Sequence, residues 1–177
     1  ADRHFLARHD SDEFNRWQAL NSLANDALIE AANQVRNGSA PVFDEALVAV
    51  PGEIAGDETL EEAYRALAIT PPAEADIARE IGSNVDPDAI HQARQAYLDA
   101  VARSGASQMA KVYEALADDG SFSPDAESAG RRALRNVLLG LLIRAEASPE
   151  RGVEQYRSAT NMTERLAALM EVTHRFA

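Results

Sequence analysis

Apolar residues recur along this chain at three- and four-residue intervals, the spacing that lines one face of a helix. The densest run is 131–144, where Leu134, Val137, Leu138, Leu141 and Leu142 form a stripe and Leu139 and Ile143 widen it. A stripe that wide predicts a helix with neighbours on more than one side. Ser123-Pro124 supplies its start, because a Ser side chain can accept from a free helix-end N–H and Pro has no N–H to leave unpaired. From Pro124 to Ala147 such a helix would be ~36 Å long, and the shorter amphipathic segments are predicted to lie against it.

The first long helix is predicted from Asp10, with Glu13 as its capping-box partner, to a stop at Asn37-Gly38. Its inner face carries Phe14, Trp17, Leu20, Leu23, Leu28 and Ala31. Shorter helices follow at 41–50, 58–68, 73–81, 86–103, 106–117, 148–158 and 161–176. Pro51-Gly52 and Ser104-Gly105 are read as breaks between them, and Asn161 with Glu164 as a second capping box. Residues 4–8 are short, apolar at the centre, and expected to be the end of a strand. About nine helices with short turns, without a strand pair or a strict repeat, predict an all-α fold. Its expected form is an irregular superhelical array, a HEAT- or armadillo-like solenoid.

Composition narrows the partners. The 177 residues are 46% hydrophobic, enough for a core. Net charge is −12 and Lys111 is the one lysine, which argues against nucleic acid and against an anionic membrane surface, both of which need clustered cations. No apolar run reaches the ~20 residues of a membrane span, and residues 1–10 lack the apolar centre of a signal peptide. The absence of cysteine excludes disulfides, thiolate metal sites and cysteine nucleophiles. A cytoplasmic location is expected. Ala1 is expected to lie inside a longer protein.

Candidate chemistry is sparse. His4, His9, His91 and His174 form no H-E-x-x-H pattern, so the usual zinc-peptidase ligand spacing is missing. His9, Asp10 and Asp12 are adjacent enough to suggest a metal, but acidic residues at a helix start are routine capping groups. Asp118-Asp119-Gly120-Ser121 fails the spacing of a calcium loop and reads as a turn. Glu61-Glu62, Glu74 with Asp76, and Asp86 with Asp88 read as solvated faces and caps rather than an acid–base pair. Arg131, Arg132 and Arg135 suit either a bound carboxylate or ion pairs with neighbouring acidic helices, and ion pairing is expected. Asn161-Met162-Thr163 matches a glycosylation triplet but reads as a helix cap, and Trp17 as a core anchor. No catalytic, metal-binding or cofactor-binding residue is therefore assigned on this chain. On the last helix Leu166, Leu169, Met170 and Phe176 form an apolar stripe expected to favour self-association.

Three stretches resemble one family. Residues 9–19, His-Asp-Ser-Asp-Glu-Phe-Asn-Arg-Trp-Gln-Ala, resemble the H-D-S-D-x-F-N-R-W-E-A segment of bacterial alanyl aminopeptidases, the aminopeptidase N family of zinc metallopeptidases. Residues 132–138 resemble its R-x-L-R-N helix, and 161–169 its N-M-T-D-x-L-A-A-L segment. Gln18 and Glu164 stand where that pattern has Glu and Asp. The resemblance implies that residues 1–9 are the tail of a preceding β domain and residues 10–177 the first part of the C-terminal α-helical superhelical domain. It implies a parent that releases N-terminal amino acids, Ala preferred, from peptides. Its zinc is held by two His and a Glu upstream, in a catalytic domain that would be this chain's partner in the same polypeptide. The helical part would be non-catalytic, wall the catalytic chamber and limit the access of peptide substrates. The alternative is a free-standing HEAT-like interaction scaffold.

Overall fold

The structure, a computed structural model, describes residues 3–117 and 122–176. Its described residues form nine α-helices: α1 (Arg3–His9), α2 (Glu13–Arg36), α3 (Glu45–Ala55), α4 (Glu62–Ile69), α5 (Glu74–Ile81), α6 (Pro87–Ala115), α7 (Ala126–Glu146), α8 (Glu150–Ser158) and α9 (Met162–Phe176). The all-α array expected from the periodicity is present. Helix α6 packs against α2, α3, α5 and α7, while α7 also packs against α4, α8 and α9. The two long helices therefore form the spine. Leu138 through Ile143 on α7 are buried without interruption, as the widened stripe requires. Met109, Val101 and Ile90 of α6 and Leu28 of α2 complete the centre of the core.

Several boundaries differ from the sequence reading. Residues 3–9 are helical rather than the end of a strand. A piece this short carries too few positions to separate a two-residue from a 3.6-residue period. Burial of Ala7 and hydrogen bonds from Arg8 to Glu53 Oε2 (2.8 Å) and the Ala46 carbonyl (2.6 Å) hold it on α3. Helix α2 is capped by Asp12, which accepts from Phe14 N at 2.8 Å and Asn15 N at 3.2 Å, while Asp10 accepts from Asp12 N at 2.9 Å. Phe14, expected on the inner face, is 63% exposed, and Trp17 packs on the edge of the core. Helix α7 is capped by Asp125, not Ser123. The Ser123 hydroxyl instead donates to the Asp125 carboxylate. That bond, followed by those from Ser128, holds the Asp125 carboxyl far below the usual carboxylate range.

Both supposed breaks lie inside continuous helices. Pro51-Gly52 sits within α3 and Ser104-Gly105 within α6. The two glycines meet where these helices cross: a Cβ on Gly52 would lie 3.0 Å from the Cα of Gly105. The missing side chains let two backbones touch, a packing use of glycine that a linear reading takes for a turn. Residues 118–121, the stretch Asp118-Asp119-Gly120-Ser121 read as a turn, lie outside the described residues.

Candidate functional site

Some of the residues singled out by the sequence gather at two joints. At the first, the start of α2 meets α4. Tyr64 donates its hydroxyl to the Glu13 carbonyl at 2.8 Å, and burial raises its pKa. Arg16 pairs with Asp57 at 3.5 Å. The Asp57 carboxylate accepts from the Thr59 hydroxyl and backbone N–H. The Thr59 hydroxyl is the main reason that its pKa lies below the usual range, with Arg16 adding to it. His9 meets the Phe5 ring at a tilt, with ring centroids 4.9 Å apart. His9, Asp10 and Asp12 thus pack, brace and cap, and do not converge on one point. Among the described residues, no three His, Cys, Asp or Glu side chains are placed to hold a metal ion. The zinc implied by the resemblance therefore has no fitting donor set on them.

At the second joint, α8 and α9 are fastened to α6 and α7 through buried polar groups. Glu164, 3% exposed, accepts from Arg135 Nη1 at 2.8 Å and from Asn161 Nδ2 at 2.7 Å, while Asn161 Oδ1 accepts from Glu164 N at 3.0 Å. Gln155 accepts from the Tyr113 hydroxyl at 2.8 Å and donates to Asn136 Oδ1 at 2.9 Å and to the Glu164 carbonyl at 3.2 Å. Arg135 and Arg151 both lie over the Tyr113 ring, at 4.6 and 5.1 Å from its centroid. Burial raises the Tyr113 pKa against the pull of these two cations. Arg151 is held protonated chiefly by Glu146, with Glu114 adding a second carboxylate.

The three arginines of α7 divide their roles. Arg135 makes the expected ion pair. Arg131 caps the end of α6, donating to the carbonyls of Leu116 (3.2 Å) and Ala117 (2.9 Å), and Arg132 lies over the Phe122 ring at 4.7 Å. Among the acidic residues, Glu62 pairs with Arg65, Asp76 with Arg79 and Glu74 with His91, and Asp86 caps α6. Gln155 carries no sequence signal, and the helical spacing puts Tyr113 on an inner face without naming its partner, because a polar group inside a helix shows its partner only once the helices are assembled.

A third feature is open. A cleft of about 680 Å³ is lined by residues of α6, α7 and α9 and by the end of α4. Arg94, Arg144 and Arg175 line it together with Glu171, His91 and His174. Arg144 donates to Asp99 at 3.0 Å and Gln95 at 2.6 Å, and Arg175 reaches the same Asp99 oxygen at 3.2 Å. Arg94 donates through Nε to the Pro72 carbonyl at 3.0 Å. Burial lowers its pKa, Glu74 acts against this, and Arg144 adds to it.

The joints and the cleft can be set beside known proteins. The family described as "Domain of unknown function (DUF3458_C) ARM repeats" matches residues 1–177. Aminopeptidase N of Caulobacter vibrioides is 33% identical over 176 residues, covering 96% of this chain and 19% of that protein. Aminopeptidase N of Escherichia coli is 28% identical, covering 93% of this chain and 19% of that protein. The chain thus spans about a fifth of the length of these relatives. Among solved structures, Legionella pneumophila aminopeptidase A in complex with aspartic acid matches with a TM-score of 0.77 and 23% identity, over 97% of this chain and 21% of that one, a likeness of fold. With a match along its whole length and an all-helical array to go with it, the chain belongs to the DUF3458_C family of ARM-repeat domains, in the stretch it shares with aminopeptidase N.

Proposed function

We propose that this chain is the non-catalytic helical part of a zinc-dependent aminopeptidase N. Its parent releases N-terminal amino acids, Ala preferred, from peptides in the cytoplasm. Residues 10–177 are the first part of the C-terminal superhelical domain, and residues 1–9 join it to the preceding β domain. The chain walls one side of the catalytic chamber and limits which peptides reach it. Its partner is the catalytic domain of the same polypeptide, which carries the zinc and polarises the scissile bond. The observation that carries this reading is 33% identity to an aminopeptidase N across 96% of the chain. The buried joints agree with a wall: Arg135, Glu164, Asn161 and Gln155 bond to one another and brace helices rather than facing a substrate.

The test compares the parent polypeptide with the 177-residue chain, using alanyl-p-nitroanilide as substrate and metal analysis of each. The expected result is turnover and bound zinc in the parent and neither in the chain alone. Turnover by the chain alone with one zinc per chain would overturn the non-catalytic assignment. A parent polypeptide without peptidase activity would overturn the aminopeptidase reading in favour of a HEAT-like scaffold.

A further inference from the structure

The cleft lined by α6, α7 and α9 holds a guanidinium whose Nη edge has no hydrogen-bond acceptor among the described residues, a carboxylate with no donor among them, and an apolar wall, and the Glu74 charge acts on that guanidinium only through space. Arg94 uses Nε on the Pro72 carbonyl, and no described residue accepts a hydrogen bond from its Nη1 or Nη2. Arg144 and Arg175 do not relieve it, because they are cations themselves and share one carboxylate, Asp99. Glu171 lies against the backbone of α7: a Cβ on Gly140 would stand 3.0 Å from its Oε2 and 3.1 Å from its Oε1. No described residue donates a hydrogen bond to those oxygens, while Leu98, Val137 and Leu141 supply apolar surface in the same cleft.

We propose that this cleft binds a zwitterionic α-amino acid with an apolar side chain. The ligand carboxylate sits on the open edge of the Arg94 guanidinium, its ammonium on Glu171, and its side chain over Leu98, Val137 and Leu141. A planar guanidinium edge matches a carboxylate with two parallel hydrogen bonds. A phosphate dianion suits the site less well, because Glu171 shares the wall and Asp99 stands behind two of the arginines. An uncharged apolar ligand would leave both ionic groups of the cleft desolvated and unpaired. A volume of about 680 Å³ lies within the ordinary range of small-molecule sites and leaves room for water beside one amino acid. The proposal rests on residues of this chain and not on the activity of the parent.

The test is titration of the parent polypeptide, followed by calorimetry and, so that binding here is told apart from binding elsewhere in the parent, by hydrogen exchange in α6, α7 and α9. The probes are L-leucine, 4-methylpentanoate (no ammonium), 3-methylbutylamine (no carboxylate) and inorganic phosphate. Saturable leucine binding is expected, at least about tenfold tighter than either truncated analogue, the factor of one charge-assisted hydrogen bond. Glu171→Gln should abolish the preference for leucine over 4-methylpentanoate and leave the latter's binding unchanged. Arg94→Gln should lose both. If Arg94→Gln does not fold, the probe series and Glu171→Gln decide. The proposal is overturned by leucine and 4-methylpentanoate binding equally, by phosphate displacing leucine at equal concentration, or by the absence of a saturable leucine response.

Discussion

Replacing Glu164 with Ala removes the one carboxylate that neutralises Arg135 in the interior. The pair is buried on both sides, Glu164 being 3% exposed and the Arg135 side chain 13%. Deleting one partner of such a pair costs about 3–5 kcal/mol, because the remaining charge stays buried without compensation. Two details set the value within that range. Arg135 keeps its cation–π contact with Tyr113 at 4.6 Å, which retains ~1 kcal/mol of stabilisation. Against this, Arg135 Nε already has no hydrogen-bond partner, and Asn161 Nδ2 loses its acceptor when Glu164 is truncated. The expected loss is therefore about 3 kcal/mol, or roughly 6–12 °C in Tm for a domain of this size. Urea unfolding followed by circular dichroism at 222 nm measures it, and Glu164→Gln, which keeps the shape and loses the charge, should cost about half as much. In a double-mutant cycle with Arg135→Met the coupling should be about 2 kcal/mol. Native-state hydrogen exchange should show the loss of protection concentrated in α8 and α9, the helices that this pair ties down. The reasoning is refuted if Glu164→Ala costs less than about 1 kcal/mol, or if Ala and Gln cost the same.

Three further outcomes follow from the same geometry. Gly105→Val should destabilise the chain by about 2–3 kcal/mol in urea melts, since even a Cβ there would lie 2.6 Å from Met109 Cε and 3.2 Å from Gly52 Cα. Asp12→Ala removes the acceptor for two backbone N–H groups at the start of α2 and should cost about 1 kcal/mol, read as a lower urea midpoint at unchanged slope. Asp57 has a folded pKa below its unfolded value, so its stabilisation is complete above the unfolded pKa near ~4 and is lost as pH falls through the folded value. Asp57→Asn should accordingly flatten the acid side of a stability–pH curve while lowering stability at neutral pH, and an unchanged acid limb would contradict that assignment.

How much of the fold the sequence disclosed depends on which residues carried the information. Leu134 to Ile143 are unambiguous, since a run apolar on nearly every side has only a buried helix to form. The expected helix count agrees with that of the described residues although its members differ: the sequence pattern makes residues 4–8 the end of a strand, and it divides α6 into two helices. The second error has a physical origin. A glycine reports that a side chain is missing, and it does not report whether the space serves a turn or a neighbouring backbone. At Gly52 and Gly105 it serves a neighbour, and only the crossing of α3 and α6 reveals this. At Gly38, with φ of 75°, the linear reading succeeds, because there the backbone itself needs the left-handed conformation.

The stretches that carry the family resemblance explain why function is harder to read here than fold. Each is rich in polar residues, and polar residues at fixed spacing invite a catalytic interpretation. In the folded chain several of them bond to one another or to the backbone, although most of residues 9–18 stay exposed. Asp12 caps α2, Arg16 reaches Asp57, Arg135 and Asn161 meet at Glu164, and Asn136 receives the Gln155 amide. Burying such groups is favourable only when every partner is in place, so each joint accepts few alternatives. A short motif in a helical array can therefore be specific for reasons of assembly alone. By the same logic, the place to look for a ligand is where ionic groups lack internal partners. The Nη edge of Arg94 and the Glu171 carboxylate meet that description among the described residues of the cleft of α6, α7 and α9, and neither lies in a stretch that the resemblance singled out.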